Sequence, residues 1–317
     1  MVFAPQLARQ TVLVTGASGF LGSHLCRHLC NQGAKVHAVS RTLRTTENSS
    51  LHWWQGDLQD VATVQNLLST IQPDIIFHVA GNSAAARQLE LALPTFQANL
   101  MTTVNLLTVA TNIGCGRIVL TGSLEEPDPA YADAIPSSPY AASKWASSVY
   151  GRMFHALYGT PVVNVRVFMT YGPGQQDIRK LIPYVILSLL QGQAPKLTMG
   201  QRQIDWIYVD DVAAGLVAAA QAPDVEGCRI DLGSGSLVPI HTVVRQLVKL
   251  VGSKVEPLFG TIPERPFEQV RVADTADTSA KLGWRPLTSL EKGLAATVDW
   301  YKRQHADLLK TGGSASN

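Results

Sequence analysis

Tyr140 and Lys144, in SSPYAASKWA, stand four residues apart. In a helix that spacing puts both on one face. A nearby ammonium favours the phenolate, so Lys144 is expected to lower the Tyr140 pKa from about 10 toward working pH. Such a tyrosine can exchange a proton with a substrate hydroxyl or carbonyl while hydride moves to or from a nicotinamide. A bare Tyr-x-x-x-Lys also arises as an ordinary surface pair. The added signal is TGS at 121–123. At the C-terminal end of a strand, Ser123 (a better candidate than Thr121) would face the same crevice and reach the reacting oxygen.

A second constellation is TGASGFLG, with Gly16, Gly19 and Gly22 directly after a strand and at the start of a helix. Glycines let the backbone approach a pyrophosphate, whose charge then sits at the helix N-terminus. The first interval is one residue longer than in the Rossmann fingerprint, and a tight strand–helix turn is the plainer explanation. Its place on the first strand of a βαβ series favours a dinucleotide site. The second strand ends in Ser40-Arg41, with Arg44 nearby. An NAD-binder usually places there a carboxylate that accepts from the ribose 2′-hydroxyl and repels a 2′-phosphate. A hydroxyl and a cation reverse that preference, so NADP is expected, with NAD possible; Arg41 stacked on adenine or lying in solvent is the alternative.

The elements that must hold these residues alternate. TVLVTG (11–16), KVHAVS (35–40), DIIFHVA (74–80), RIVLTGS (117–123) and VVNVRVF (162–168) read as buried parallel strands. Helical stretches fall near 20–32, 61–70, 94–113 and 139–158. This is the α/β pattern of a doubly wound parallel Rossmann sheet, assigned to residues 1–170. Beyond YGPG (171–174) the rhythm loosens. Helices near 178–191, 210–221, 239–251 and 288–304 and strands near 203–209 and 228–232 suggest a smaller, mixed α/β substrate-binding portion over 171–310. Its chain is open to a return to the first sheet, and TGGSASN (311–317) reads as a disordered tail.

Composition excludes several classes. The 317 residues carry 26 Lys+Arg against 24 Asp+Glu, too balanced to draw nucleic acid or an anionic membrane. No apolar run reaches membrane-span length, and MVFAPQLARQ lacks the apolar core of a signal peptide, so a cytoplasmic enzyme is expected. Four cysteines are too few for a disulfide framework. SHLCRHLC could suggest a metal site, but on a helix His24 and His28 lie about 200° from Cys26 and Cys30. The cysteines follow the apolar stripe with Leu25 and Leu29, so no metal is expected.

With these motifs in view, the chain resembles the extended short-chain dehydrogenase/reductase superfamily, specifically the NAD(P)-dependent epimerase/dehydratase family acting on nucleotide sugars. The resemblance runs nearly end to end: TGASGFLGSHL, GDL (56–58), HVAG (78–81), Asn99 of FQANL, TGS, PYAASK, RVFMTYGPGQ, DWIYVDDVA and LGWRPLTSLEKGL. It implies Tyr140 as general acid/base, Lys144 as its tuner and holder of the nicotinamide ribose, and Ser123 as hydroxyl partner. It implies Asp57 and Leu58 by the adenine and Ala80 and Gly81 by the cofactor, with Ser18, Phe20, Leu21 and Asn99 completing that site.

Departures bear on the reaction. Dehydratases of the family carry an Asp-Glu pair just after a Thr; Leu124-Glu125 stands there and counts against dehydration. Glu126 is equally a substrate contact or a solvated loop acid. Met169 replaces an asparagine that contacts the substrate diphosphate. Ile204 stands where relatives place a phosphate-gripping arginine, and Arg202, on the same strand face about 7 Å away, could cover the shift. Arg265 matches another phosphate-clamping arginine. For both, a solvent-exposed cation is the alternative. NADP use favours a reductase acting on a keto group of a nucleotide-linked sugar; a 4-epimerase with retained NAD is the alternative, and a non-catalytic dinucleotide-sensing protein a remote one. Relatives often form homodimers through the helices near 94–113 and 139–158, so a homodimer is expected by analogy.

Overall fold

The computed structural model describes residues 7–8, 10–128 and 133–312, with side chains to 306. Strands β1 (Thr11–Thr15), β2 (Lys35–Ser40), β3 (Leu51–Gln55), β4 (Ile75–His78), β5 (Arg117–Ser123), β6 (Val162–Val167) and β9 (Arg229–Leu232) form one seven-stranded parallel sheet in the order β3-β2-β1-β4-β5-β6-β9. The order reverses between β1 and β4, and the crevice opens there, at the carboxyl ends of the strands. The α/β doubly wound expectation matches what is seen.

Strand alternation builds both faces. Val12, Val14, Ile75, Phe77 and Val119 pack into one apolar layer with helices α1 (Phe20–Asn31) and α7 (Val209–Gln221). Leu13, Ile76, Ile118 and Leu120 point the other way, onto α2 (Val61–Ile71), α4 (Thr102–Ile113) and α5 (Pro139–Tyr158). Both faces are covered, which is why these strands read as continuous apolar runs. The stretch expected as one helix near 94–113 is a short α3 (Ala92–Thr95), a π-helical turn Phe96–Met101 carrying Asn99, and then α4.

Residues 229–232 lie next to β6 in the large sheet, tied there by Arg166, whose Nε and Nη2 donate to both Asp231 oxygens at 2.9 and 2.6 Å. The rest of the C-terminal portion has its own core. A small sheet of β7 (Met169–Tyr171), β8 (Gln203–Tyr208) and β10 (Leu237–Pro239) packs with α6 (Leu181–Leu190), α8 (Ile240–Val251) and α10 (Leu290–Gly312). Helix α9 (Thr275–Leu282) lies against β9. Four elements escape the sequence pattern: β3, β7, β10 and α9. The β3 strand, LHWWQ, is a half-exposed edge strand without a β-branched run, and β7 and β10 are three residues long. Of the tail expected to be disordered, residues 311–312 end α10, and 313–317 lie outside the described residues. No helix among the described residues is long and apolar enough to cross a membrane.

Candidate active site

One cleft of about 910 Å³ runs along the carboxyl ends of the strands. Its wall includes Gly16, Ser18, Gly19, Phe20, Leu21 and Gly22 from the first turn, and Ser40 and Arg41 from the end of β2. Asp57, Leu58, Ala80, Gly81, Ser123, Tyr140, Lys144 and Met169 complete the contribution of residues singled out from the sequence. The tight turn after β1 depends on glycine at position 16: its φ is +67°, and a Cβ there would stand 2.6 Å from the Ala80 Cα. Gly19 caps α1 without a side-chain hydrogen bond, and the first turn of the helix holds no acid. Its uncapped N–H groups and positive dipole end suit an anion. The cleft thus fits a dinucleotide with its pyrophosphate at this turn.

The β2 end has no carboxylate. Ser40 is buried, with its hydroxyl accepting from the Thr42 N–H at 3.2 Å. Arg41 is exposed at the rim and makes no ion pair among the described residues. Arg44 is elsewhere, its guanidinium 5.6 Å from the centre of the Trp53 ring. Asn99 does not line the cleft. It braces the wall: Oδ1 accepts from the Asn82 N–H at 2.6 Å and Nδ2 donates to Asn82 O at 3.1 Å and Ser143 Oγ at 2.8 Å.

Ser123, Tyr140 and Lys144 meet on one wall, where β5 ends and α5 begins. Pro139 sits in the first turn of α5 and Ser138 caps it, its Oγ accepting from the Ala141 N–H. Tyr140 and Lys144 thereby enter on the first turn and a half, facing the cleft. Ser123 is hydrogen-bonded to the Tyr140 phenol, which pulls its pKa down, but burial dominates and, with Glu126 and Glu125, pushes it up to about 12. The expected depression by Lys144 is therefore corrected. Lys144 Nζ donates to Thr121 O at 2.8 Å, and burial lowers its own pKa to about 8, against the pull of Glu126. Desolvation disfavours both charged forms and is the largest cause of each shift.

Beneath the site, His78 bridges Thr15 Oγ1 (2.8 Å) and Thr103 Oγ1 (3.1 Å), and Thr121 Oγ1 donates to His78 O at 3.0 Å. Burial and the Lys144 charge push His78 down to about 3, so it is a neutral brace. The motif HVAG contained this histidine, but nothing in its spacing set it apart from a core residue.

At the substrate end three expectations are corrected. Glu126 is neither a cleft residue nor a solvated acid: it is buried behind Ser123, with Oε1 accepting from the Ser123 N–H at 2.8 Å and Ser148 Oγ at 3.0 Å. Arg202 does not reach the cleft as a phosphate grip. Its side chain is 11% exposed, pairs with Glu125 at 2.7 Å and Glu268 at 3.1 Å, and donates to Gln269 O. A guanidinium satisfied by two carboxylates and a carbonyl has little reason to swing out. Arg265 is on the surface, 4.0 Å from Glu268, and does not line the cleft. Among the lining residues not assigned to the site from the sequence are Glu125, Asn82, Ser83, Asp177 and Lys180. Lys180 Nζ donates to Ser83 O at 2.6 Å, and burial lowers its pKa. It is the cation best placed on the substrate side, and its sole sequence signal was its place just before α6.

A sequence model described as "NAD dependent epimerase/dehydratase family" matches residues 12–233, which spans β1 to the end of β9. The chain belongs to that family. Among its relatives, a dTDP-glucose 4,6-dehydratase of Haemophilus influenzae is 30% identical over 92% of this chain and 97% of that enzyme. A UDP-glucose 4-epimerase of Mycolicibacterium smegmatis is 31% identical over 92% of this chain and 98% of its own length. Among solved structures, the Bordetella bronchiseptica enzyme WbmF in complex with NADH superposes with a TM-score of 0.83 at 26% identity, covering 97% of this chain and 96% of that one. The UDP-glucuronic acid 4-epimerase of Bacillus cereus in complex with UDP-glucuronic acid and NAD gives 0.81 at 26%, covering 92% and 99%. The protein is thus an enzyme of the short-chain dehydrogenase/reductase type, in a family whose members act on nucleotide sugars.

Proposed function

We propose that the chain is a nucleotide-sugar 4-epimerase: it oxidises one ring carbon and re-reduces it from the other face, with Tyr140 moving the proton. The observation that carries this reading is the set Ser123, Tyr140 and Lys144 on a dinucleotide-sized cleft, followed by Leu124 rather than an acid. Leu124 is 5% exposed and packs in the core. Glu125, next along, is tied to Arg202, so the acid pair that dehydration uses is absent in one member and engaged in the other. The 4-epimerases among the relatives and solved structures support the same choice.

The residues divide the work. The turn 16–22 takes the pyrophosphate, Asp57 and Leu58 flank the adenine, and Ala80 and Gly81 face the cofactor body. A bound nicotinamide supplies the hydride acceptor and donor. Ser123 hydrogen-bonds the reacting sugar oxygen and Tyr140, and Tyr140 takes or returns its proton. Lys144 holds the ribose and its charge favours the phenolate once the phenol gives up its proton. Lys180 meets the substrate diphosphate, the role that Arg202 and Arg265 do not fill. Trp145, Val149 and Tyr150 leave an apolar strip exposed on α5, which suits a homodimer. Four unbridged cysteines suit a reducing, cytoplasmic setting.

A second reading, reduction of a keto-sugar by NADPH, is favoured by Ser40 and the exposed Arg41 at the β2 end. Denaturing the purified protein and identifying the released nucleotide, then titrating NADPH and NADH by fluorescence, separates the two. NAD retained near one per chain supports the epimerase. An empty site with strong NADPH preference replaces it with the reductase, and no affinity for either nucleotide removes both.

A further inference from the structure

Gly122, Glu126 and Ser148 form a closed triangle behind the reacting hydroxyl. Gly122 lies in β5 paired with Arg166 of β6, in extended backbone that any residue could adopt. Its constraint is space: a Cβ at Gly122 would stand 2.2 Å from Glu126 Oε1 and 3.1 Å from Ser148 Oγ. The glycine of TGS therefore makes room for a carboxylate, and that carboxylate is 4% exposed. Its Oε1 takes the Ser123 N–H and the Ser148 hydroxyl, joining the strand end to the middle of α5, one turn past Lys144. From the other side Arg271 Nη1 donates to Glu126 O at 3.0 Å, so a residue far along the chain closes the same turn.

A buried carboxylate costs free energy unless something in the fold uses its charge. We propose that Glu126 is a positioning residue: its buried carboxylate, held by the Ser123 N–H and the Ser148 hydroxyl, fixes the backbone of Ser123 and supplies the negative charge that faces the Lys144 ammonium. This rests on the reading of Ser123, Tyr140 and Lys144 as the reacting set. The charges in play are few. Glu126 is faced by Lys144 from α5 and by Arg166 from β6; Ser123 and Ser148 donate to it. Lys144 is faced by Glu126 and the neutral His78 of β4. Burial holds the Glu126 carboxyl above the usual carboxylate range, and those donors and cations offset only part of that rise. Glu126 in turn raises Lys144 against its own burial, and raises Tyr140. The acid thus holds the lysine in its charged form and the tyrosine in its protonated form, the state in which the pair can donate.

Two variants separate geometry from charge. Glu126→Ala removes both; Glu126→Gln keeps an amide oxygen for the Ser123 N–H and removes the charge. In hydrogen exchange at fixed pH, the Ser123 amide is expected to exchange at least about tenfold faster in Glu126→Ala and to be restored in Glu126→Gln. NADH is the probe for the charge. Its affinity in the wild-type protein should fall through a midpoint near the Lys144 value of about 8. In Glu126→Gln that midpoint should move down by roughly half a pH unit or more. Lys144→Met should show no such midpoint. An unchanged Ser123 exchange rate in Glu126→Ala, or an unshifted midpoint in Glu126→Gln, overturns the proposal. If Glu126→Ala does not fold, Ser148→Ala takes its place and should speed Ser123 exchange to a lesser degree; no change there is equally adverse. Absence of NADH binding at every pH would sink the reading of the cleft, and the exchange result would still decide the backbone role.

Discussion

The two halves of the cleft are built differently. On the cofactor side, nearly every lining residue is at the C-terminal end of a strand or in the first turn of a helix: 16–22, 40–41, 57–58, 80–81 and 123. Their directions follow from backbone geometry, since a parallel strand ending at the switch point can face only the crevice. On the substrate side the lining residue Lys180, and Arg202 and Arg271 behind the wall, are long side chains, and each points where its partner is. Arg202 goes to Glu125 and Glu268, Lys180 to Ser83 O, and Arg271 to the carbonyls of Leu124 and Glu126. Backbone-dictated positions can be read from a motif. Side chains with three or four rotatable bonds cannot be placed until their distant partners are known.

The largest expected effect is on the side the motifs place best. Tyr140→Phe should cost roughly 10²–10⁴-fold in turnover of the sugar nucleotide, the usual span for a lost acid/base, while NADH affinity stays within about twofold. Retained turnover would show that the proton moves through another group and remove the chemical distinction between the halves. Next comes Arg202→Ala, which strands Glu125 and Glu268 at a partly buried site. A loss of about 3–5 kcal/mol in urea unfolding is expected. If stability barely changes and KM for the sugar nucleotide rises instead, Arg202 leaves its carboxylates for the substrate, and the substrate half is more mobile than its ion pairs indicate.

Lys144 gives a smaller effect with a defined sign. Its pKa is about 8 in the fold and about 10.5 when unfolded, so the unfolded chain binds more protons between those values. Stability should therefore rise with pH across that window. Below it the charged lysine is a net burden, and Lys144→Met should be more stable than the wild type at pH 7 by about 1–3 kcal/mol and lose that part of the pH slope. A flat difference would mean that the ammonium is fully compensated by Thr121 and Glu126. Smallest is the choice between nucleotides. If Arg41 reads a 2′-phosphate, Arg41→Ala should lower the NADPH-to-NADH affinity ratio by roughly 10-fold or more. Arg44→Ala, with its guanidinium on Trp53, should change it less than about twofold. An equal effect of the two would show that the basic end acts through general charge alone.

The alternation of apolar strands and helices, the glycine turn, and the i, i+4 pairing of Tyr140 with Lys144 were all legible in the order of amino acids. They depend on contacts within a few residues or on a periodicity of two or 3.6. The same reasoning extended to the hydroxyl at the end of β5 and to the missing carboxylate at the end of β2. It did not extend to charge. Whether Glu126 faced water or the core, whether Arg202 was free or paired, and whether Tyr140 was pulled down by Lys144 or pushed up by burial depended on groups up to 145 residues away and on the depth of the cleft. Local spacing sets where a backbone goes. Desolvation and the choice of ionic partner are properties of the packed whole, and only the folded arrangement of β5, α5, β6 and the 262–272 segment decides them.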